Sequence, residues 1–472
     1  MHLTESHPRP GSSPRRTIPG PAGLPVLGSM LDLRRDSLGT FLAARRAHGD
    51  VVRLEAGPPG LRSVFHAVFA PEGVQQILAS QAANFRKDHP LYEEVRQAFG
   101  NGLLTSQDAD YRRQRRLVQP LFTTRRVDGY ASAVTTEAAA LADRWRTADA
   151  TVDLVPEMNR LALRTVSRIL FGLDAEAAVD AVHRCAPVIN AYVVRRAYVP
   201  VKIPREWPTP GNLRARAATD ELNALCDRIV ADRRAARATA GGTDGDGGDL
   251  LSLLAAAGNA EDGSLDATEV REQVLIFLLA GHETTATSLA FTLHLLARHP
   301  GEQARVRAEI DRVLGHRPPT AADLDRLPYL TQTLKESMRL YPAAPVISRR
   351  AVAATEIGGY RIPAGADVVV APWVTHRDPD LWADPERFDP GRFAPEREAE
   401  RHRYAWFPFG GGPRACIGRH FSMLESVLAL AVLLRAYELD AVDEEVPVSA
   451  GITLQATGPA RVRLRPRAGA GE

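Results

Sequence analysis

The sequence predicts a mainly α protein with a minor β-sheet region, and three observations carry that expectation. Apolar residues recur at helical spacing along most of the chain, over the longest distance at 267–298. Residues 409–418 form a glycine-rich loop that leads straight into an apolar helical run. Period-two alternation is confined to short segments and is clearest in the last one, 452–464.

In chain order, helical patterns cover residues 38–48, 72–80, 110–121, 134–146, 159–171, 175–195, 217–237 and 249–257. The long central pattern follows at 267–298, then 301–314 and 321–340. Asp266 and Glu269 have the spacing of a capping box and mark where the central helix begins. That helix is apolar on nearly every side, which means burial in a large core or in a membrane. His282, Glu283 and the threonines at its middle argue against the membrane. Short strands fit 51–55, 63–70, 349–351, 366–370 and 452–464. The Gly- and Asp-rich stretch 238–248 reads as a solvated loop between helices.

Composition excludes more than it identifies. A net charge of +2 gives no reason to expect nucleic acid. The basic residues are almost all Arg, the lysines being Lys87, Lys202 and Lys335. Cys185 and Cys226 sit in helical patterns as packing residues, so no disulfide framework is implied, which fits a reducing cytoplasm. The first 30 residues hold no apolar run long enough for a signal segment or a spanning helix, so no membrane anchor is expected.

The third cysteine is placed differently. Cys416 lies on the glycine-rich loop just before a helix, where unpaired backbone N–H groups and the positive end of the helix dipole stabilise a thiolate. Gly412 and Gly418 would let backbone approach a flat macrocycle, and Arg414 is a cation placed to pair with one of its carboxylates. Upstream, Gly281 is followed by Glu283 and Thr284, and a threonine hydroxyl that competes for a backbone carbonyl favours local widening of a helix. Taken alone, a Glu–Thr pair is usually satisfied within its own helix. Glu336 and Arg339 share a helix face and precede Phe388-Asp389-Pro390-Gly391-Arg392.

Phe409, Gly412, Arg414, Cys416 and Gly418 resemble, residue for residue, the haem-binding signature of the cytochrome P450 monooxygenases. Similarities to that family extend from the proline-rich segment at 19–28 to beyond residue 420. The resemblance implies the cytochrome P450 fold, with haem b between the central helix and the cysteine-loop helix, as a single domain over 19–472 behind a disordered tail at 1–18. Cys416 would be the axial thiolate that binds iron and favours O–O cleavage. Thr284 would hydrogen-bond activated dioxygen and Glu283 would relay protons to it. A peroxide-using relative would be expected to lose that acid–alcohol pair. Glu336, Arg339 and Arg392 would form a buried charge network with a structural role. Arg115 would bind a haem propionate, and Tyr111 stands where the family usually has Trp or His. Arg350 is the other propionate candidate, with adjacent Arg349 as its alternative.

By the same resemblance the substrate pocket draws on Leu91, Val95, Leu103, Phe277, Ala280, Val346, Ile347, Ile452 and Leu454. These are aliphatic or aromatic, so an apolar substrate is expected. The chain would insert one oxygen atom from dioxygen into it, with electrons from NAD(P)H arriving through a ferredoxin or flavodoxin and its reductase. Arg112, Arg113, Arg116 and Arg419 are the docking candidates for that donor. A cytoplasmic monomer is expected. The wording at 84–87, 99–103, 111–122 and 358–366 resembles actinobacterial sesquiterpene oxygenases of the pentalenene type. Fatty acids, polyketides and steroids are the alternative substrates, and a non-catalytic haem-thiolate sensor or carrier is the alternative outside the enzyme class.

Overall fold

A computed structural model describes residues 16–147, 150–171, 176–199, 201–239 and 265–467. The central helix, Ala267–Arg298, starts at the expected capping box: Asp266 accepts from the Glu269 N–H, and the Glu269 side chain accepts from the Asp266 N–H. Val274, Leu278, Leu289, Leu293 and Leu296 along it are fully buried. Each such side chain contributes about 1.5–3 kcal/mol relative to exposure, so burial rather than intrinsic propensity holds this helix. It packs along helix Leu154–Phe171 and crosses helix Arg419–Ala436, which carries the cysteine loop at its start. Among the described residues it alone is long and apolar enough to cross a membrane, and protein covers most of its surface.

The strands are short and peripheral. They are β1 (Val51–Ala56), β2 (Ser63–Val68), β3 (Phe85–Arg86), β4 (Thr151–Asp153), β5 (Ile347–Ala351), β6 (Thr355–Ile357), β7 (Tyr360–Ile362), β8 (Asp367–Val370), β9 (Tyr437–Ala441), β10 (Val448–Ala450), β11 (Leu454–Ala456) and β12 (Arg461–Pro466). Five form one sheet in the order β1-β2-β8-β5-β3, and three form another in the order β4-β12-β9. β10–β11 and β6–β7 are separate hairpins. In the larger sheet Arg350 of β5 lies opposite Asp367 of β8, a register that decides which way two adjacent arginines point.

Several elements differ from the sequence expectation. Pro328 takes the first position of helix Pro328–Leu340 and splits the expected 321–340 helix, leaving 321–323 as a single 3-10 turn. The 72–80 pattern begins as helix Pro71–Gln75 and ends in a wider π turn, Gln76–Ser80. Helix Pro90–Phe99, unassigned from sequence, begins on Pro90 with the His89 side chain accepting from the Leu91 N–H. The 452–464 pattern resolves into β11 and β12. The expected 249–257 helix, residues 1–15 of the expected tail and residues 240–248 of the expected loop lie outside the described residues.

Candidate active site

The cysteine loop is held by its own backbone. The Cys416 N–H donates to Phe409 O at 2.9 Å, and the Ala415 N–H to Gly412 O at 3.1 Å. Gly412 has φ +62°, and a Cβ there would meet the Leu78 carbonyl oxygen at 1.9 Å, so only glycine fits. It admits the backbone of the π turn at Leu78. A Cβ on Gly418 would reach only ordinary contact, 3.9 Å from Cys416 Sγ. The Cys416 side chain has open surface yet lies deep within the protein, so it faces an interior space. Desolvation there pushes its thiol up, opposed by the Gly418 N–H and by Arg115, Arg419 and Lys87. Cys185 and Cys226 are buried in helices, and burial raises their thiols to about 11 and about 12.

The central helix faces the same region. Ala280 is exposed in the middle of an otherwise buried helix, which requires an interior space beside it. One turn on, Thr285 Oγ1 lies 3.3 Å from Ser422 Oγ of the cysteine-loop helix, fixing the two helices together. The Thr284 hydroxyl donates to Ala280 O at 2.9 Å. The expected widening is absent: the helix runs unbroken from Ala267 to Arg298, and Gly281 instead makes room for Val166, 3.1 Å from where a Cβ would stand. Glu283 accepts a 2.5 Å hydrogen bond from Gln455 Nε2. His282 is buried with Nδ1 2.7 Å from Leu278 O, and desolvation lowers its pKa.

A cluster of cations tests whether haem fits. Lys87 is buried, donates from Nζ to Leu104 O at 2.7 Å, and is pushed well below its ordinary value by desolvation and by Arg414, Arg349 and Arg96. Arg414 donates to Ser106 O at 2.8 Å, lies 3.5 Å over the Tyr111 ring, and is drawn down to about 10, mainly by desolvation. Arg349 is buried and donates to Ser348 O. None of these three has a carboxylate partner among the described residues. Buried cations without anions are costly, and the two propionates of a haem are the anions that would complete the cluster. The donor set and the thiol in one interior thus fit the cofactor.

Two propionate expectations change. Arg350 is bidentate to Asp367, at 2.8 and 3.1 Å, because the β5–β8 register turns it away from Arg349; Arg349 is the arginine of the cation cluster. The Tyr111 hydroxyl donates to Pro413 O at 2.8 Å and accepts from Arg115 Nη1 at 2.7 Å, so Tyr111 braces the cysteine loop. Arg115 also reaches Ala415 O at 3.2 Å. The sequence shows Lys87 as one of three lysines in an arginine-rich chain but assigns it no role in the site.

The structure brings Glu336, Arg339 and Arg392 together. Arg339 donates to both Glu336 oxygens at 2.7 and 2.9 Å, and Arg392 Nε lies 3.3 Å from Glu336 Oε1. Carbonyls of His376, Pro385 and Arg387 take further Arg339 hydrogens. Of the expected pocket residues, Ala280 is exposed, and Leu91, Val346, Ile347 and Ile452 are partly open. Leu103 is buried, Val95 and Leu454 are closed into the packed core, and Phe277 stacks on Phe122 at 5.5 Å. Among the docking candidates Arg112, Arg116 and Arg419 are exposed, whereas Arg113 pairs with Glu269 at the start of the central helix.

A thiol-bearing loop, a central helix carrying an acid and an alcohol, and uncompensated cations between them define a haem-thiolate protein. The chain belongs to the cytochrome P450 family, whose model matches residues 18–461. It is similar to cyclooctatin synthase of Streptomyces melanosporofaciens, 42% identical over 89% of each chain. Cyclooctat-9-en-7-ol 5-monooxygenase of the same organism is 38% identical over 91% of each, and pentalenene oxygenase of Streptomyces avermitilis is 34% identical over 94% of this chain and 96% of the relative. The crystal structure of the cytochrome P450DA heme domain superposes with TM-score 0.84 at 30% identity, covering 96% of this chain and 98% of that one. The protein is therefore a haem-dependent monooxygenase with cysteine-thiolate ligation, supplied with electrons by redox partners and acting on an apolar substrate.

Proposed function

We propose that Cys416 supplies the axial thiolate, that Lys87, Arg349, Arg414 and Arg115 hold the propionates, and that Glu283 and Thr284 handle the protons of dioxygen reduction. Haem bound there supplies dioxygen activation. The reaction takes a C–H bond, dioxygen, two electrons and two protons to an alcohol and water. Thr284 is placed to donate a hydrogen bond into the interior once its hydroxyl leaves Ala280 O, and Glu283 to accept and pass on a proton. Ala280, Val346, Ile347 and Ile452 offer aliphatic surface that binds an apolar molecule and excludes water. The observation that carries the reading is the open Cys416 thiol in an interior lined by Ala280 and flanked by buried Lys87 and Arg349 and half-buried Arg414, none with a carboxylate partner among the described residues.

The substrate is a terpenoid, with a sesquiterpene as the expected class, a reading supported by what the names of cyclooctat-9-en-7-ol 5-monooxygenase and pentalenene oxygenase say of those relatives. Residues 19–472 act as one catalytic domain in a cytoplasmic monomer, where NAD(P)H is at hand. A ferredoxin or flavodoxin docks near Arg112, Arg116 and Arg419, and its encounter rate falls with salt. Replacing Thr284 by Ala tests the proton assignment. Oxygen consumption with ferredoxin, reductase and NADPH persists while most of the product per NADPH is lost, as expected when a positioned proton donor is removed. Unchanged coupling would remove Thr284 from the mechanism, and no turnover of any terpenoid by wild type would favour a fatty acid, polyketide or steroid substrate.

A further inference from the structure

We propose that Gln455 is a positioning residue for Glu283, so that the β10–β11 hairpin links the substrate pocket to proton handling on the central helix. The proposal rests on the assignment of Glu283 and Thr284 to proton handling.

Among the described residues, Gln455 is the side-chain donor that Glu283 has. The side-chain amide has two hydrogens and both are used: Nε2 reaches Glu283 Oε1 at 2.5 Å and Thr453 Oγ1 at 2.7 Å. Thr453 thus orients the amide before Glu283 arrives. The reverse orientation would set a carbonyl oxygen against a carboxylate oxygen, so the geometry admits only the donor. A hydrogen bond to a carboxylate is worth more than a neutral one and selects one rotamer of a side chain that is otherwise free to swing.

The hairpin is tied to two other parts of the pocket. The Ile452 N–H donates to Asn190 Oδ1 of helix Glu176–Tyr198 at 3.3 Å, and the Leu454 N–H to Ala343 O at 2.9 Å, in the loop after helix Pro328–Leu340. A Cβ on Gly451 would stand 3.1 Å from Gln455 Cγ and 3.2 Å from Asn190 Oδ1, so the tip lies close against both side chains. A substrate resting on Ile452 therefore pushes on the element that fixes the Glu283 carboxylate. Gln455 does not touch the reacting atoms; it sets where the acid stands.

Gln455→Leu removes the donor at similar size. It is expected to lower product per NADPH about tenfold, with hydrogen peroxide rising in step, while substrate affinity read from the spin shift changes less than about threefold. Gln455→Glu is isosteric, sets like charge against Glu283 and moves coupling in the same direction, which keeps the test alive should the leucine variant not fold. In a Glu283→Ala background, Gln455→Leu adds nothing further. In the resting protein, without turnover, the Glu283 carboxylate infrared band, assigned by difference from Glu283→Gln, shifts in Gln455→Leu.

An unmoved band, wild-type coupling, or an equal loss in the Glu283→Ala background would overturn the role of Gln455. Wild-type coupling in Glu283→Ala alone would instead overturn the acid assignment beneath it, and the inference with it.

Discussion

Around Glu336 the buried charges are complete within the chain, whereas around Lys87 they are not. Glu336 and Arg339 are fully buried, doubly hydrogen-bonded to each other, and joined by Arg392 and by backbone carbonyls from the 376–387 segment. Lys87 and Arg349 are also buried, Arg414 is half-buried beside them, and desolvation followed by the charges of Arg414 and Arg349 lowers the Lys87 pKa, yet no carboxylate answers the three among the described residues. A satisfied buried network fixes backbone segments and needs nothing from outside. A buried cluster of one sign is a standing cost that folding alone does not recover, and it marks where an external anion completes the structure.

The largest effect should come from breaking the finished cluster. Glu336→Gln leaves two buried guanidinium groups without their anion and should cost about 3–5 kcal/mol in urea unfolding. A loss below about 1 kcal/mol would show that the network is not what ties helix Pro328–Leu340 to the 384–392 segment.

The unfinished cluster should respond with the opposite sign. Lys87→Met removes a buried uncompensated charge, so the haem-free protein should be as stable or more stable, by on the order of 1–2 kcal/mol. Haem transfer from the variant to a globin acceptor should be about tenfold faster, as loss of a charge-assisted contact implies. Destabilised apoprotein with unchanged haem retention would reverse the reading of Lys87.

Glu425 extends the comparison to a single buried acid. It is buried in the cysteine-loop helix beside Thr165, whose hydroxyl donates to Leu161 O and offsets only part of the cost of burying the acid. Desolvation raises its pKa well above 4.5, so the folded chain keeps a proton that the unfolded chain releases. Stability should therefore fall as pH rises from 4.5 towards the raised value, and remain low above it. Glu425→Gln should flatten that slope and gain about 1 kcal/mol at pH 8. An unchanged slope in urea midpoints between pH 5 and pH 8 would mean that Glu425 is ionised in the fold.

How much of this was readable from sequence follows the range of the interaction. Cys416 beside a helix start, Glu283 next to Thr284, Glu336 three residues from Arg339, and the Asp266–Glu269 cap all depend on local spacing, which a sequence displays directly. Choosing between Arg349 and Arg350 depends on the pairing of β5 with Asp367 of β8, which the local pattern does not contain. Lys87 becomes significant only through Arg414 and Arg349, brought to it by the fold. Gln455 reaches Glu283 across 172 positions of sequence. Gly281 and Gly412 stand out in the sequence, but the neighbours they make room for, Val166 and Leu78, are set by packing.

The most direct test of the central claim is the absorption spectrum of the dithionite-reduced protein with carbon monoxide, for wild type and for Cys416→His. Thiolate donation predicts a wild-type Soret band far to the red of an imidazole-ligated haem, and a band at the imidazole position in the variant. An imidazole-like band in wild type, or the same red-shifted band in both proteins, would contradict Cys416 as the ligand.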